Sequence, residues 1–547
     1  MELGRKITNC RMCESEKLYE FLDLGFLPPA DKILSKEDLD YPEIYFPLKV
    51  MQCKNCGLTQ LKYAVKPEIL FGERYSYESS ITETGKKHFF EMANSIVDKF
   101  NIEKNSLVID VGSNVGVLLE GFKNKGMNIL GIDIAQKIVE IANSRGVETW
   151  RGLMNEEISK RIVEQKGKAK VVTATNVFAH IDDKIGFIRG LQILLDRDGI
   201  LVIESPYLID LIDNLAYDTI YLDHLEYHSI KPLISFFYNH DMEVFDVERH
   251  EIHGNSIRIF VGKKGMRNIN GKVFEMLDLE DQKGIYNEKV LGEFAKKVLE
   301  HRKKFFDLIY SLKKQGKKIV GISAPAKGNT LLNYCKIHGP LIDYMAEKSR
   351  LKLGHYTPGM HIPIIDESQL LEDTVDYGII FAWNFAEEII KNNKEFIRRG
   401  GKFIIPIPEP IITGGSENLL GVKVEKIDPV FMDERGIISD LLNEKVNHVG
   451  LITTEKDAIR ANHYHKLSTQ YSYILQGKFE VLLAKFDKPD KVQRIELHAG
   501  EMITIPPNVI HRFKAIERTI MIDIISESRD GGKYEDDVYR VTLEMPV

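Results

Sequence analysis

The chain has 547 residues, 43% of them hydrophobic and 28% charged, and a formal net charge of -7. That length exceeds what one hydrophobic core serves, so several domains are expected, and the acidic balance gives no electrostatic case for nucleic acid. No apolar signal core opens MELGRKITNC and no run is long enough to cross a bilayer, so the expectation is a cytoplasmic protein with no membrane partner.

Residues 1–65 hold four of the five cysteines, as Cys10-x-x-Cys13 and Cys53-x-x-Cys56. Two such knuckles offer four thiolates, the ligand set of tetrahedral zinc. With every position filled by protein, none is open for chemistry, so a structural Zn2+ is expected. A redox pair would want one C-x-x-C at a helix start, and a disulfide framework would not cluster its cysteines so closely. Cys335 reads as a buried small hydrophobe.

Residues 66–265 are organised around LVIDVGSNVG, Leu107 to Gly116. An apolar strand ends in Asp110, turns through Gly112, Asn114 and Gly116, and enters the helical spacing of VLLEGF. The next strand, NILGID, ends in Asp133, where such folds hold ribose hydroxyls. A dinucleotide turn spaces its glycines G-x-G-x-x-G to lay a pyrophosphate on a helix N-terminus. The spacing here is D-x-G-x-x-x-G, which favours S-adenosylmethionine, a ligand with no phosphate but a cationic sulfonium and an amino group. An NAD-dependent oxidoreductase is the alternative, and the Y-x-x-x-K dyad or catalytic cysteine it would need is not found after the cofactor strand. Further strands are expected in KVVTATNVFAHIDD and GILVIESPYL, with the helix GFIRGLQILL between them, giving a doubly wound sheet. Asn176 and His180, assigned to the cofactor, and Glu204 and Tyr207, assigned to substrate, fall at the carboxyl ends of those strands, where ligands of such sheets bind.

Residues 266–408 open with a charged helical stretch and then repeat the α/β pattern, with KIVGIS turning through APAKGNT into LLNYC. Lys327 and Asn329, with Gly328 and Thr330, could cradle a phosphate at that turn; the residues alone favour a tight turn with a solvated lysine, and the resemblance described below tips the reading to the phosphate. From residue 409 to 547 the texture changes to short strands punctuated by Gly, Pro and Asp, the pattern of a β jelly roll. His463 and His465, two apart on a strand, face one side, where His511 can join them. Their arrangement with Gln470 and Gly477, and then Gly500, Pro506, Pro507 and His511, resembles the two motifs of the cupins. Glutamine is a weaker, neutral ligand than the glutamate of that pattern, which leaves open a second metal on His463, His465, Gln470 and His511. Without a metal, a histidine there can act as a base near neutral pH. The segments FMDERG and RANHYHKLSTQ also resemble cupins that act on nucleotide sugars, the 3,5-epimerases and the 3,4-ketoisomerases.

The stretches FGERYSYESSITETGKKHF, NVFAHIDD, VIESPYL, DTIYLDHLEYHSIKPL, HGNSIRIFV and GISAPAKGNTLLNYC, in this order after the cysteine knuckles, resemble the C-methyltransferases that build branched deoxysugars. The resemblance runs from Cys10 to about residue 408. It implies a zinc-binding domain (1–65), a Rossmann-like class I methyltransferase domain (66–265), a second Rossmann-like α/β domain (266–408) and, fused to them, the cupin (409–547). It also implies methyl transfer from S-adenosylmethionine to carbon 3 of a TDP-linked 4-keto-6-deoxysugar. By the resemblance His224 is the base, Asp223 the carboxylate that orients it, and Tyr75 and Tyr77 contact the sugar. The family's Tyr-His-Glu-His reads Tyr221, Leu222, Asp223, His224 here, and Val115 stands where an acid is usual.

Carbon 3, once methylated, has no proton, so a cupin acting afterwards can invert only carbon 5. Either the cupin isomerises first, as a 3,4-ketoisomerase would, or it is an epimerase, with His463, His465 or Tyr464 moving protons; a binding-only cupin is the third reading. A homodimer through the cupin is the expected assembly. The rivals are an O- or N-methyltransferase, which would tolerate loss of His224, and a non-catalytic scaffold, which would bind no cofactor.

Overall fold

A computed structural model describes residues 3–71, 83–250, 255–413, 420–427, 429–433, 435–443, 445–526, 537–541 and 543. The chain divides into two compact units, residues 1–386 with 404–410, and residues 387–403 with 411–547.

In the first unit, Leu107–Val111 is buried along its whole length, as a parallel strand covered on both faces must be. It lies inside a seven-stranded sheet ordered Met242–His250, Ser256–Lys263, Leu195–Pro206, Ala169–Thr175, Leu107–Val111, Asn128–Asp133, Thr149–Arg151. The last five run parallel, and the first two close that side antiparallel. Helices Glu83–Lys99 and Val117–Asn124 cover the sheet with Met92, Ile96, Leu118, Leu119 and Phe122, packed on Val108, Val202 and Phe260.

The cysteine knuckles flank a smaller antiparallel sheet of Leu18–Leu27, Phe46–Cys53 and Thr59–Leu61. Its fourth strand comes from far along the chain: Glu226–Tyr227 pairs with Gln60 and Thr59. The zinc-binding segment therefore holds the residues that follow His224. Further on, Glu288–Lys314 buries Leu291, Phe294, Val298, His301, Phe305, Ile309 and Leu312, a stripe at three- and four-residue spacing. Parallel strands Ile364–Asp366, Met345–Glu347, Ile319–Ile322 and Tyr377–Ile380 follow in that order across the second sheet.

One difference from the sequence reading lies here. Helix Ala326–Cys335 begins early enough to take Lys327, Gly328 and Asn329 into its first turns. Gly328 is a packing glycine, since a Cβ there would lie 2.8 Å from the Cβ of Phe381.

The second unit is a sandwich of two five-stranded antiparallel sheets. Its core is Ile474, Phe479, Val481, Leu483, Leu497, Ile503, Phe513 and Met521, contributed by alternate positions of both sheets. Among the described residues no helix is long and apolar enough to cross a membrane.

Candidate functional site

The turn after Leu107–Val111 is built on left-handed backbone at Gly112 (φ 70°), Asn114 (φ 49°) and Gly116 (φ 86°). A Cβ on Gly112 would lie 2.2 Å from Val177, and one on Gly116 2.7 Å from Val147, so both positions need glycine for space as well as conformation. At the next strand end, Asp133 accepts the N–H of Asn114 at 3.0 Å and of Ala135 at 2.9 Å. Each of its oxygens keeps a second lone pair, which suits a ribose diol. Asp110 accepts the Thr173 hydroxyl at 2.6 Å. Burial pushes its carboxyl up to about 7, with Thr173 opposing and Asp133 adding to the rise. The buried Ser113 Oγ and Asn176 Oδ1 have no partner among the described residues. Two carboxyls and two unpaired polar atoms at adjacent strand ends fit a cationic, hydroxyl-bearing cofactor.

Next to this turn, a pocket is lined by Asn176, Ala179, Ser205, Thr219, His224, Glu226, Tyr227 and His228. The Nδ1 of His224 lies 2.7 Å from the Thr219 carbonyl. A carbonyl accepts only, so Nδ1 carries the hydrogen and Nε2 the lone pair of the neutral ring. His180 sits 5.0 Å from His224 and Tyr221 4.0 Å, centroid to centroid. Burial drives His180 well below the ordinary histidine range, so it is neutral beside His224. Around this space the buried atoms Asn176 Oδ1, His180 Nε2, Asp223 Oδ2, Glu226 Oε1 and the Tyr227 hydroxyl lack partners among the described residues. Each such group costs roughly 1–3 kcal/mol when unsatisfied, and their concentration marks a place for a polar ligand.

The resemblance gives Asp223 as the orienting group; the group at Nδ1 of His224 in the structure is the Thr219 carbonyl. Asp223 and His224 are consecutive in a tight turn, and the Asp223 carboxyl is pushed up to about 8, first by burial and then by Asp31. Tyr75 and Tyr77 lie outside the described residues.

Glu204 and Tyr207, expected at the substrate, are tied into buried networks. Glu204 takes the Arg258 guanidinium at 2.9 and 2.7 Å and the His88 ring at 2.6 Å. Burial alone would raise its carboxyl, but those two partners hold it at about 2. Tyr207 donates to Glu280 at 3.0 Å. Glu280 also receives the N–H groups of Ile230 (2.5 Å) and Lys231 (3.2 Å) and the Tyr286 hydroxyl.

A second buried chain runs from Ser205 through His228 (2.9 Å) to Glu226 (3.3 Å) and Lys184 (3.2 Å). Asp182, two residues before Lys184, pairs with Arg11 of the first cysteine knuckle. Sequence reasoning missed Thr219, Glu226, Tyr227 and His228 as pocket residues. Their signal was the polar density of DTIYLDHLEYHS, which continues past His224.

Lys327 does not stand at an open turn. Its Nζ lies 4.3 Å from the centroid of Trp383 and bonds to Asn384. Burial pushes its amine down to about 8, with Asp218 opposing. Asn329 gives its amide N–H to the Ala30 carbonyl at 2.7 Å, while its buried Oδ1 lacks a partner among the described residues. With Thr330, Tyr221 and Leu222 it lines a second, smaller pocket.

The four cysteine sulfurs converge, with Cys10 and Cys56 at 3.5 Å and Cys13 and Cys53 at 3.6 Å. Those spacings suit a tetrahedral ion with Zn–S of about 2.3 Å. In the second unit, His463, His465 and His511 bring ligand atoms within 4.8 Å of one another. His465 Nε2 lies 3.3 Å from His463 Nε2 and 3.2 Å from Gln470 Oε1. His465 gives Nδ1–H to the Asp537 carbonyl (2.8 Å), His511 gives Nδ1–H to that of Val509 (3.0 Å), and Gln470 gives its amide N–H to Asp523 (2.8 Å). The lone pairs of His465, His511 and Gln470 are thereby aimed at one point. Such a point calls for a cation or a proton. Tyr464 is turned away from it and stacks on Phe486 and Tyr539, 5.4 and 5.2 Å between centroids.

Comparison with known proteins agrees with this layout. Family models match for a zinc binding domain over residues 10–71, a methyltransferase domain over 87–247, a C-methyltransferase C-terminal domain over 251–408 and a cupin over 442–533. C-methyltransferase NovU of Streptomyces niveus is 34% identical over 419 residues, 76% of this chain and 100% of that protein. This chain belongs to the C-methyltransferase family.

The enzyme is thus an S-adenosylmethionine-dependent C-methyltransferase that carries a C-terminal cupin. A shorter match joins it to the ubiquinone biosynthesis O-methyltransferase of Bordetella avium, 31% identical over 97 residues, 17% of this chain and 39% of that protein. Among solved structures, the QdtA 3,4-ketoisomerase of Thermoanaerobacterium thermosaccharolyticum is 27% identical over 22% of this chain and 88% of its own, with a TM-score of 0.19. The dTDP-4-dehydrorhamnose 3,5-epimerase of Sulfolobus tokodaii is 23% identical over 21% and 77%, also at 0.19.

Proposed function

We propose that the enzyme methylates carbon 3 of a TDP-linked 4-keto-6-deoxysugar and that His224 is the base. The observation that carries this reading is the His224 ring, its Nδ1 committed to a backbone carbonyl, on the wall of a pocket ringed by buried polar atoms that lack partners among the described residues. Bound at the Gly112–Gly116 turn, S-adenosylmethionine would supply an electrophilic methyl on its sulfonium. Asp133 holds the ribose hydroxyls, and Asp110 sets negative charge on the cationic side. Carbon 3 is acidified by the ketone at carbon 4, so Nε2 of His224 takes its proton while the Tyr227 hydroxyl donates toward the enolate oxygen. The sequence resemblance adds Tyr75 and Tyr77 as sugar contacts and supports TDP as the nucleotide, with Lys327 and Asn329 on its side.

In this proposal the zinc is structural, bracing through Arg11 and Asp182 the loop that carries His180. The cupin is a second catalytic centre acting on the same class of sugar, as a carbon-5 epimerase after methylation or a ketoisomerase before it, and its edge strand His448–Thr454, exposing Val449 and Leu451, is where a homodimer would form.

The test is incubation with S-adenosylmethionine and TDP-4-keto-6-deoxyglucose in deuterated water. A product heavier by one methyl, with the carbon-3 proton gone, is expected, and deuterium at carbon 5 would add the epimerase. Methylation on an oxygen, or full activity in His224→Asn, would refute the carbon-acid mechanism.

A further inference from the structure

We infer that Asp218, held by Trp383, is a positioning residue that fixes the Thr219 carbonyl and through it the His224 imidazole. The inference rests on His224 being the base. Tyr217, Asp218 and Thr219 form a single short 3-10 turn, with Tyr217 and Asp218 fully buried. Its backbone bonds run only to immediate neighbours: Ile220 N–H to the Tyr217 carbonyl at 3.0 Å, and Thr219 N–H and hydroxyl to the Ala216 carbonyl at 3.1 and 2.7 Å. Those bonds shape the turn locally, and the side chains of Tyr217 and Asp218 tie it to distant parts of the protein.

Two successive side chains are held by the same distant segment. His301 gives Nε2–H to the Pro406 carbonyl at 2.6 Å, so its Nδ1 accepts the Tyr217 hydroxyl at 3.0 Å. Asp218 Oδ2 accepts the indole N–H of Trp383 at 2.6 Å, while Oδ1, fully buried, has no partner among the described residues. The cation nearest this pair is Lys327, stacked on the face of the same indole. Thr219, the third residue, then presents its carbonyl to His224 Nδ1 at 2.7 Å. Residues 301–406, outside the cofactor-binding sheet, thus aim the imidazole. A shift of the order of 1 Å at a reacting group can lower a rate by about 100-fold, so loosening this turn would show in turnover before it shows in binding.

The decisive variant is Trp383→Phe in the full-length chain, which keeps an aromatic face for Lys327 while it removes the N–H and part of the ring. With histidine labelled at Cε1 with 13C, the His224 resonance is identified by its loss in His224→Asn, and it is read on the folded protein without sugar. The expected result is a displaced His224 signal in Trp383→Phe. In methyl transfer, kcat should fall by about tenfold or more while KM for both substrates stays within about twofold. Asp218→Asn, which still accepts from the indole, should recover most of the activity that Asp218→Leu loses. An unmoved His224 signal, an effect confined to KM, or Asp218→Asn as damaged as Asp218→Leu would overturn the inference. If instead His224→Asn methylates normally, the base assignment itself has failed, and the two failures are told apart.

Discussion

The enzyme has two histidine centres of opposite construction. In the first unit the His224 ring has His180 and two tyrosines as neighbours, and its pocket is rich in hydrogen-bonding atoms without partners among the described residues. In the cupin, carbonyls and carboxylates behind the ligands turn His465, His511 and Gln470 inward, so that lone pairs meet lone pairs. The first arrangement leaves room for a substrate and one proton. The second concentrates electron density on a point and needs a positive charge there. The same imidazole serves either purpose, and the group behind it decides which.

The comparison breaks most visibly at His224. His224→Asn should lower methyl transfer by roughly 100- to 10,000-fold with S-adenosylmethionine affinity within about twofold, whereas His465→Asn should leave methyl transfer almost untouched; equal losses in both would merge the two centres. For the cupin, His511→Gln should weaken binding of an added divalent ion by about 10- to 100-fold, as read by calorimetry on the apo-protein. No ion binding in the unaltered chain would assign the charge at that point to a proton instead.

A smaller effect sharpens the contrast at the cofactor turn. Asp110 titrates near 7 because burial favours its neutral form, and a cationic ligand would pull the carboxylate back. S-adenosylmethionine binding should therefore release a proton below pH 7 and tighten by up to about tenfold per unit as pH rises toward 7; heats measured in buffers of different ionisation enthalpy would detect it. The smallest effect concerns Asp223. Its folded carboxyl titrates near 8, above the unfolded value, so its contribution to stability is complete below the unfolded pKa and lost as pH rises through 8. Asp223→Asn should lose less stability than the unaltered chain between about pH 5 and 8, and identical slopes there would remove Asp223 from the account.

The parts legible in the sequence were those in which a local pattern is also the function. Gly112 and Gly116 mark a turn that no other residue fits, Asp133 ends a strand, and the cysteine pairs carry their own geometry. The partners of Glu204 and Tyr207 were not legible, because they lie 54 and 73 residues away, in Arg258 and Glu280. At a strand end, a polar residue awaiting a ligand and one awaiting a buried arginine look alike. Beside Lys327 the glycine serves close packing on Phe381, a use that shares its sequence signature with a phosphate turn. Thr219 acts through its carbonyl, and a main-chain group leaves no mark in residue identity.

Glu280 bears on how this enzyme could be taken apart. The two family models meet between residues 247 and 251, an inviting place to cut the gene or graft a relative's C-terminal half. Yet the carboxylate at 280 receives donors from Tyr207, Ile230 and Lys231, all on the other side of that cut. Severed there, one fragment would expose three orphaned donors and the other a carboxylate with only Tyr286 to answer it. The working seam for recombination therefore lies beyond helix Gly271–Lys283, and hybrids that carry this helix together with the methyltransferase sheet are the ones to build.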